Sequence, residues 1–231
     1  MESLEQLHQR IIQCRTCPRL VSHREQIAQV KVARYRDQEY WGKPVPPFGD
    51  PHARVLIMGL APAAHGGNRT GRSFTGDPSG DWLYSALYRA GFANQPESVA
   101  MNDGLVLKDV YVTNAVRCAP PDNKPTPAEK LACRPFLVSE LGLLKNVTVV
   151  VALGQFAFDA YLQTRVEAGL PVPRPRPVFG HGRTSDLGDG VTLVSSYHPS
   201  RQNTNTRKLT TDMFDAIFRQ ARDIADGNPS A

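Results

Sequence analysis

The run Val55-Leu56-Ile57-Met58 is apolar at every position and gives way to the loop GLAPAAHGGNRTGRSFTGD, Gly59 to Asp77. A short apolar run bounded by a glycine-rich turn reads as a buried strand. The loop holds five glycines and a proline, and among its side chains only His65 and Asp77 are suited to moving a proton. Glycine permits close approach and unusual dihedrals. Such a loop presents its backbone to a ligand, so its chemistry is expected to depend on positioning and main-chain N–H groups.

The strand–loop unit recurs along the chain. Further strands are expected over roughly 109–115, 147–152 and 191–196, with a possible short strand at 176–179. Helices are expected over 2–13, over 79–91 with Ser79 as a possible cap, from Thr126 to about Leu144, after Gly154 to about Leu162, and over 209–225. Thr126-Pro127-Ala128-Glu129 carries an N-cap, a first-turn proline and an acid. Residues 31–53 show no clear period, and PVPRPRP at 171–177 is an extended loop. The alternation defines an α/β class, with a central, mainly parallel four-stranded sheet covered by helices on both faces. Ligands bind outside the carboxyl ends of such strands. The loops 59–77, 114–118 and 197–208 are therefore expected to converge on one crevice.

The length of 231 residues fits a single domain, 1–231, with fraying expected over 226–231. The net charge of +5 is compatible with a polyanionic partner without requiring one. No stretch approaches the roughly 20 apolar residues that span a bilayer. The amino terminus, MESLEQLHQR, is polar and unlike a secretory signal. A cytoplasmic monomer with no membrane partner is the expectation, and its cysteines are not expected to form disulfides.

The four cysteines form a pattern, Cys14-x-x-Cys17 followed by Cys118 and Cys133. A CxxC pair places two sulfurs within reach of one metal, and zinc and a 4Fe–4S cluster both accept four thiolates. Spacing does not choose between them. Four unrelated buried thiols are the plain alternative, although Arg15, Pro18 and Arg19 beside the CxxC make a poor core stripe. A site of four cysteine ligands leaves no open position, so its role would be structural.

Together these features resemble the family 5, or type B, uracil-DNA glycosylases of the wider uracil-DNA glycosylase superfamily. The segment GLAPAAHGGNRTGRSFTGD is similar to that family's first motif, HPSRQNTNT at 198–206 to its second, and YWGKPVP at 40–46 to its lead-in. The resemblance implies a three-layer α/β/α sandwich and removal of uracil, and of other deaminated bases such as hypoxanthine, from DNA. It also implies a structural 4Fe–4S cluster on Cys14, Cys17, Cys118 and Cys133, with no divalent metal in catalysis. Related families carry an acid or amide at the positions of Leu60 or Ala61, where this chain is apolar. A water activator must then come from elsewhere or be dispensed with.

A glycosylase has to flip its nucleotide out of the stack, at a cost of about a few kcal/mol. It must then stabilise an anionic leaving base and an oxocarbenium-like sugar. His198 is the candidate donor to uracil O2, against a plain loop-capping role. Asn114 is the candidate base reader, its amide suited to N3–H and O4, against a turn role. Phe74 is a stacking candidate that would serve equally as core. Asp77 is the candidate water-positioning acid, with a helix cap as its alternative. Gly59, Leu60, Ala61 and Ala63 are expected to line the base site, the backbone around Leu60 to Ala64 contacting base carbonyls. His65 and Asn68 are as suited to shaping the loop. Ser200, Arg201, Gln202 and Asn203 are candidates for DNA contact, with Arg174, Arg176 and Arg183 as further phosphate contacts. Two rivals remain. One is a nucleotide hydrolase using the near-Walker spelling at 66–73, which lacks the lysine and the following helix. The other is a non-enzymatic iron–sulfur or zinc protein that binds nucleic acid.

Overall fold

The structure is a computed structural model and describes residues 2–228. Its elements run α1 (Leu4–Ile12), α2 (Pro18–Val30), β1 (Phe48–Gly49), β2 (Val55–Gly59), α3 (Gly67–Thr70), α4 (Pro78–Arg89), β3 (Val110–Asn114), α5 (Pro127–Leu143), β4 (Val149–Leu153), α6 (Gln155–Glu167), β5 (Thr184–Asp186), β6 (Thr192–Ser196), α7 (Arg201–Asn205) and α8 (Thr211–Ala225). One sheet takes the order β1-β3-β2-β4-β6-β5. The four expected strands form its parallel centre. Two short antiparallel edge strands, β1 and β5, extend it to six.

Strand alternation divides the core. Val55 and Ile57 of β2 pack on one face beneath α4 and α8, with Leu83, Leu87, Phe214 and Phe218. Leu56 and Met58 face the other side, with Leu137, Phe158 and Tyr161 of α5 and α6. A smaller cluster joins Leu7 and Ile11 of α1 to Leu20 of α2, Cys118, Cys133 and Phe136. From β2 the chain passes to β3 on one side and to β4 and β6 on the other. The order reverses at β2, and the loops after β2 and β6 come together there, the Phe74 and His198 rings 6.1 Å apart.

Four expectations change. Helix α4 begins earlier than expected: Asp77, not Ser79, is its N-cap, taking the Ser79 and Gly80 N–H groups, with Pro78 in the first turn. No strand forms at 176–179, where prolines lack the donors a ladder needs; β5 pairs with β6 only after the turn at Gly182. The segment after the CxxC is a full helix, α2. Over 226–228 the chain folds back, Gly227 and Asn228 donating to the Ile224 and Asp223 carbonyls and Asp226 pairing with Arg54 at 2.8 Å. The rest of the expected frayed tail, 229–231, lies outside the described residues. No helix among the described residues is long and apolar enough to cross a membrane.

Candidate active site

Gly59 and Asn114 end neighbouring parallel strands and face each other in register. A Cβ at Gly59 would collide with Asn114 Oδ1 and come within 2.7 Å of the Phe74 ring. Glycine here therefore lets an amide oxygen and an aromatic ring approach the same point of the backbone. The Asn114 side chain is buried, its Nδ2 donates to Ser73 Oγ at 2.6 Å, and its Oδ1 has no partner. An unpaired buried acceptor is costly unless a ligand supplies the donor.

Phe74 adopts φ +54°, in the left-handed region. A residue of this size rarely sits there, and its neighbours hold it: Gly80 lies so close to the Phe74 carbonyl that any side chain would clash, and Tyr84 donates to the Ser73 carbonyl at 2.9 Å. The Phe74 ring lies 6.1 Å from the His198 ring, centroid to centroid. It belongs to the core cluster, and its ring also lies against Gly59.

His198 follows β6 and rests over Gly154, which at φ +93° has no Cβ to displace it. Its carbonyl accepts from Ser200 N–H at 2.8 Å and from Asn203 Nδ2 at 2.9 Å. No group among the described residues bonds its imidazole. Burial pushes the imidazole pKa down to about 4, so the ring is neutral at physiological pH. A neutral imidazole still donates one N–H.

Asp77 has two faces. Both capping bonds, from Ser79 and Gly80 N–H at 3.0 and 3.1 Å, fall on Oδ1. Oδ2 lies against Gly66, where any Cβ would strike it. Burial raises this carboxyl above its ordinary range, and the capping N–H groups pull it partway back. Cap and acid, alternatives in the sequence, are thus compatible in one side chain.

The rest of the first loop is scaffold. Arg69 donates to the His65 and Gly76 carbonyls and to Gln38. His65 pairs with Tyr40 at 3.1 Å, and Asn68 donates to the Arg24 carbonyl. The lead-in pairs with the same loop, Trp41 and Gly42 N–H donating to the Arg69 and Asn68 carbonyls. Leu60 packs toward the α5–α6 core and Ala61 toward the cysteine cluster. Within the described residues the N–H groups of Ala61, Ala63 and Ala64 bond nothing, which leaves them for a ligand. Arg72, which the near-Walker reading would aim at phosphate, is buried against Asp103 at 2.6 Å. That removes the phosphate loop.

The expected DNA-contacting residues divide. Arg201 and Gln202 are exposed, as are Arg174, Arg176 and Arg183. Ser200 caps α7, and Asn203 holds the His198 carbonyl, so both shape the loop.

Cys14, Cys17, Cys118 and Cys133, distant in sequence, line one pocket together with Leu20, Arg24 and Phe136. Arg24 is buried; it donates to Cys118 Sγ at 2.9 Å, and its Nε has no partner. The Arg117 N–H donates to Cys133 Sγ at 3.3 Å. The Arg24 guanidinium reaches one carboxylate, Glu25, at 3.8 Å, and otherwise faces neutral sulfur and carbonyl groups, a costly setting for a buried cation. Thiolates bound to iron would add negative charge beside Arg24, so the residues fit an anionic cluster. As a thiol Cys133 is a reluctant acid, burial pushing it up to about 12. Among the described residues no three His, Cys, Asp or Glu side chains gather closely enough for a single metal ion.

Sequence reasoning missed Ser73, Gly154 and Arg24. It also missed the buried Arg117–Glu140 pair, 2.6 Å apart, which with Thr113 braces the end of β3. Each acts across a long stretch of chain, and no local pattern marks it.

Gly59, the Phe74 ring, an unpaired amide oxygen of Asn114 and the neutral His198 ring thus gather at the carboxyl ends of the central strands. The comparisons name the class. The family model described as the uracil DNA glycosylase superfamily matches residues 46–222. The type-5 uracil-DNA glycosylase of Mycobacterium tuberculosis is 52% identical over 224 residues, 96% of this chain and 82% of the relative. That of Thermus thermophilus is 50% identical over 217 residues, 94% of this chain and 96% of the relative. A type-4 uracil-DNA glycosylase of Pyrobaculum aerophilum is more distant, 29% identical over 198 residues, 85% of this chain and 83% of the relative. The chain belongs to the uracil DNA glycosylase superfamily, in its type-5 branch.

Proposed function

We propose that this protein removes uracil from DNA by hydrolysing the N-glycosidic bond, leaving an abasic site. The observation that carries the reading is the Asn114 Oδ1 left unpaired above Gly59. Uracil N3–H is the donor it lacks. One Nδ2 hydrogen goes to Ser73 Oγ, and the second remains to donate to O4; the free N–H groups of Ala61, Ala63 and Ala64 serve the base carbonyls. Phe74 stacks on the flipped base, a contact worth about 1–3 kcal/mol. His198 donates to O2 as negative charge grows there. Asp77 Oδ2 holds water beside the sugar, and its charge favours the cationic transition state. Arg201 and Gln202 touch the DNA strand.

Hypoxanthine also carries a ring N–H beside a carbonyl, so other deaminated bases fall within this chemistry. The protein acts as a cytoplasmic monomer on DNA. A 4Fe–4S cluster would be held by Cys14, Cys17, Cys118 and Cys133, and it would supply a cross-link among the start of α2, the loop after β3 and α5. Anaerobic protein is expected to be brown and to contain iron and sulfide; a colourless preparation containing zinc overturns the cluster.

The function is tested on a duplex with one uracil, followed by alkaline strand cleavage. Cleavage at the uracil is expected. An uncut duplex, with hypoxanthine also untouched, sinks the reading, and tight binding without cleavage points to the non-enzymatic alternative.

A further inference from the structure

We propose that Ser73 is the residue that sets which face of the Asn114 amide the base meets, and so selects deaminated bases over amino bases. The inference rests on the glycosylase reading and deepens it. Both side chains are buried, and Asn114 Nδ2 donates to Ser73 Oγ at 2.6 Å. An amide is nearly symmetric in shape but opposite in polarity at its two ends. Nothing about its volume tells it which way to face. Ser73 Oγ takes one N–H, and Oδ1 is turned to the opposite side, against Gly59.

The serine is itself held in place. Its carbonyl accepts from Tyr84 Oη at 2.9 Å and from Thr75 Oγ1 at 3.2 Å. Tyr84 is fully buried, and burial drives its phenol pKa up, so the anchor keeps its proton. These bonds hold the Ser73 backbone, and with it the position from which Oγ meets the amide.

An acceptor aimed at the base reads one chemical difference. Deamination turns a ring nitrogen from a lone-pair acceptor into an N–H donor, as from cytosine to uracil or adenine to hypoxanthine. Oδ1 pairs with the donor and opposes the lone pair. Were Ser73 to donate instead, the amide would reverse and Nδ2 would favour the undamaged base. The device does not see substituents elsewhere on the ring.

Ser73 is a positioning residue, so its test reads selectivity. Duplexes carrying 2′-fluoro-2′-deoxyuridine or 2′-fluoro-2′-deoxycytidine at one position resist cleavage and allow affinity to be measured. Native protein is expected to bind the uridine duplex more tightly. Ser73→Ala is expected to shrink that preference about five- to tenfold, the scale of one hydrogen bond. Ser73→Cys, which keeps the bulk and weakens the acceptor, is expected to fall between. In the Asn114→Ala background, Ser73→Ala is expected to change nothing. The proposal is overturned by an unchanged preference in Ser73→Ala, by a preference for cytidine in the native protein, or by a full Ser73→Ala effect without Asn114. If Ser73→Ala does not fold, an unchanged preference in Ser73→Cys overturns it alone. Native protein that releases no uracil from ordinary substrate refutes the glycosylase reading; normal release with an unmoved preference refutes only the role of Ser73.

Discussion

His198→Ala is expected to lower kcat about 10²- to 10³-fold, the loss seen when a donor to a developing anion is removed, with little change in affinity for uracil DNA. The ring sits at the end of β6, packed beside Phe74 with its imidazole unbonded. In the ground state it has little to hold, so its contribution appears as the base departs. Its pKa near 4 sharpens the prediction. The imidazole is neutral throughout the working range, so kcat is not expected to fall as pH rises through 6.5. The stability linkage has the matching sign. A histidine whose folded pKa lies below its unfolded value binds fewer protons when folded, so stability is full above about 6.5 and declines as pH falls toward 4. A kcat that collapses between pH 6 and 7.5 in native protein and not in His198→Ala would show a charged imidazole at work and contradict this assignment.

Asp77 gives the second large effect, and its two oxygens allow two roles to be separated. Asn is as good an N-cap as Asp. Asp77→Asn is therefore expected to keep α4 and move Tm little while lowering kcat about 10²-fold or more, as loss of a positioned acid–base group does. Asp77→Ala removes both roles and is expected to cost a further 0.5–2 kcal/mol or so of stability through the lost cap. Since burial raises the Asp77 pKa, activity is expected to fall on the acid side through a group titrating above the ordinary 3.8. Equal losses of Tm and kcat in Asp77→Asn would leave Asp77 as a cap alone.

How far the sequence carried depended on the range of the interactions. Strands β2 and β4 are apolar along their length and β3 and β6 over two or three residues, and the start of α5 is written in Thr126, Pro127 and Glu129; such signals are local. Helix α2 was not, because a buried arginine, Arg24, stands on the face it packs. Strands β1 and β5 are two and three residues long, too short to show a period. At the site, Asn114 was legible from its place at a strand end and His198 from its motif. The direction of the Asn114 amide was not, since it is set by a serine 41 residues earlier in the chain. Ser200 and Asn203 read as DNA contacts because they are polar and surround His198, yet their groups hold that loop in shape. The cysteine pattern was visible, while the buried Arg24 that gives the pocket its electrostatic reason emerges only when the four sulfurs meet.

The central claim is that an amide oxygen above Gly59 recognises the N3–H of a flipped uracil before His198 stabilises its departure. The most direct test is single-turnover cleavage of two duplexes that differ by one methyl group, uracil against N3-methyluracil at the same position. Methylation removes the donor and leaves a base that departs comparably well. The account predicts rapid release of uracil, and release of N3-methyluracil slower by about 10-fold or more, the scale of one base-reading contact, with the gap narrowing in Asn114→Ala. Equal rates on the two duplexes in native protein would contradict it.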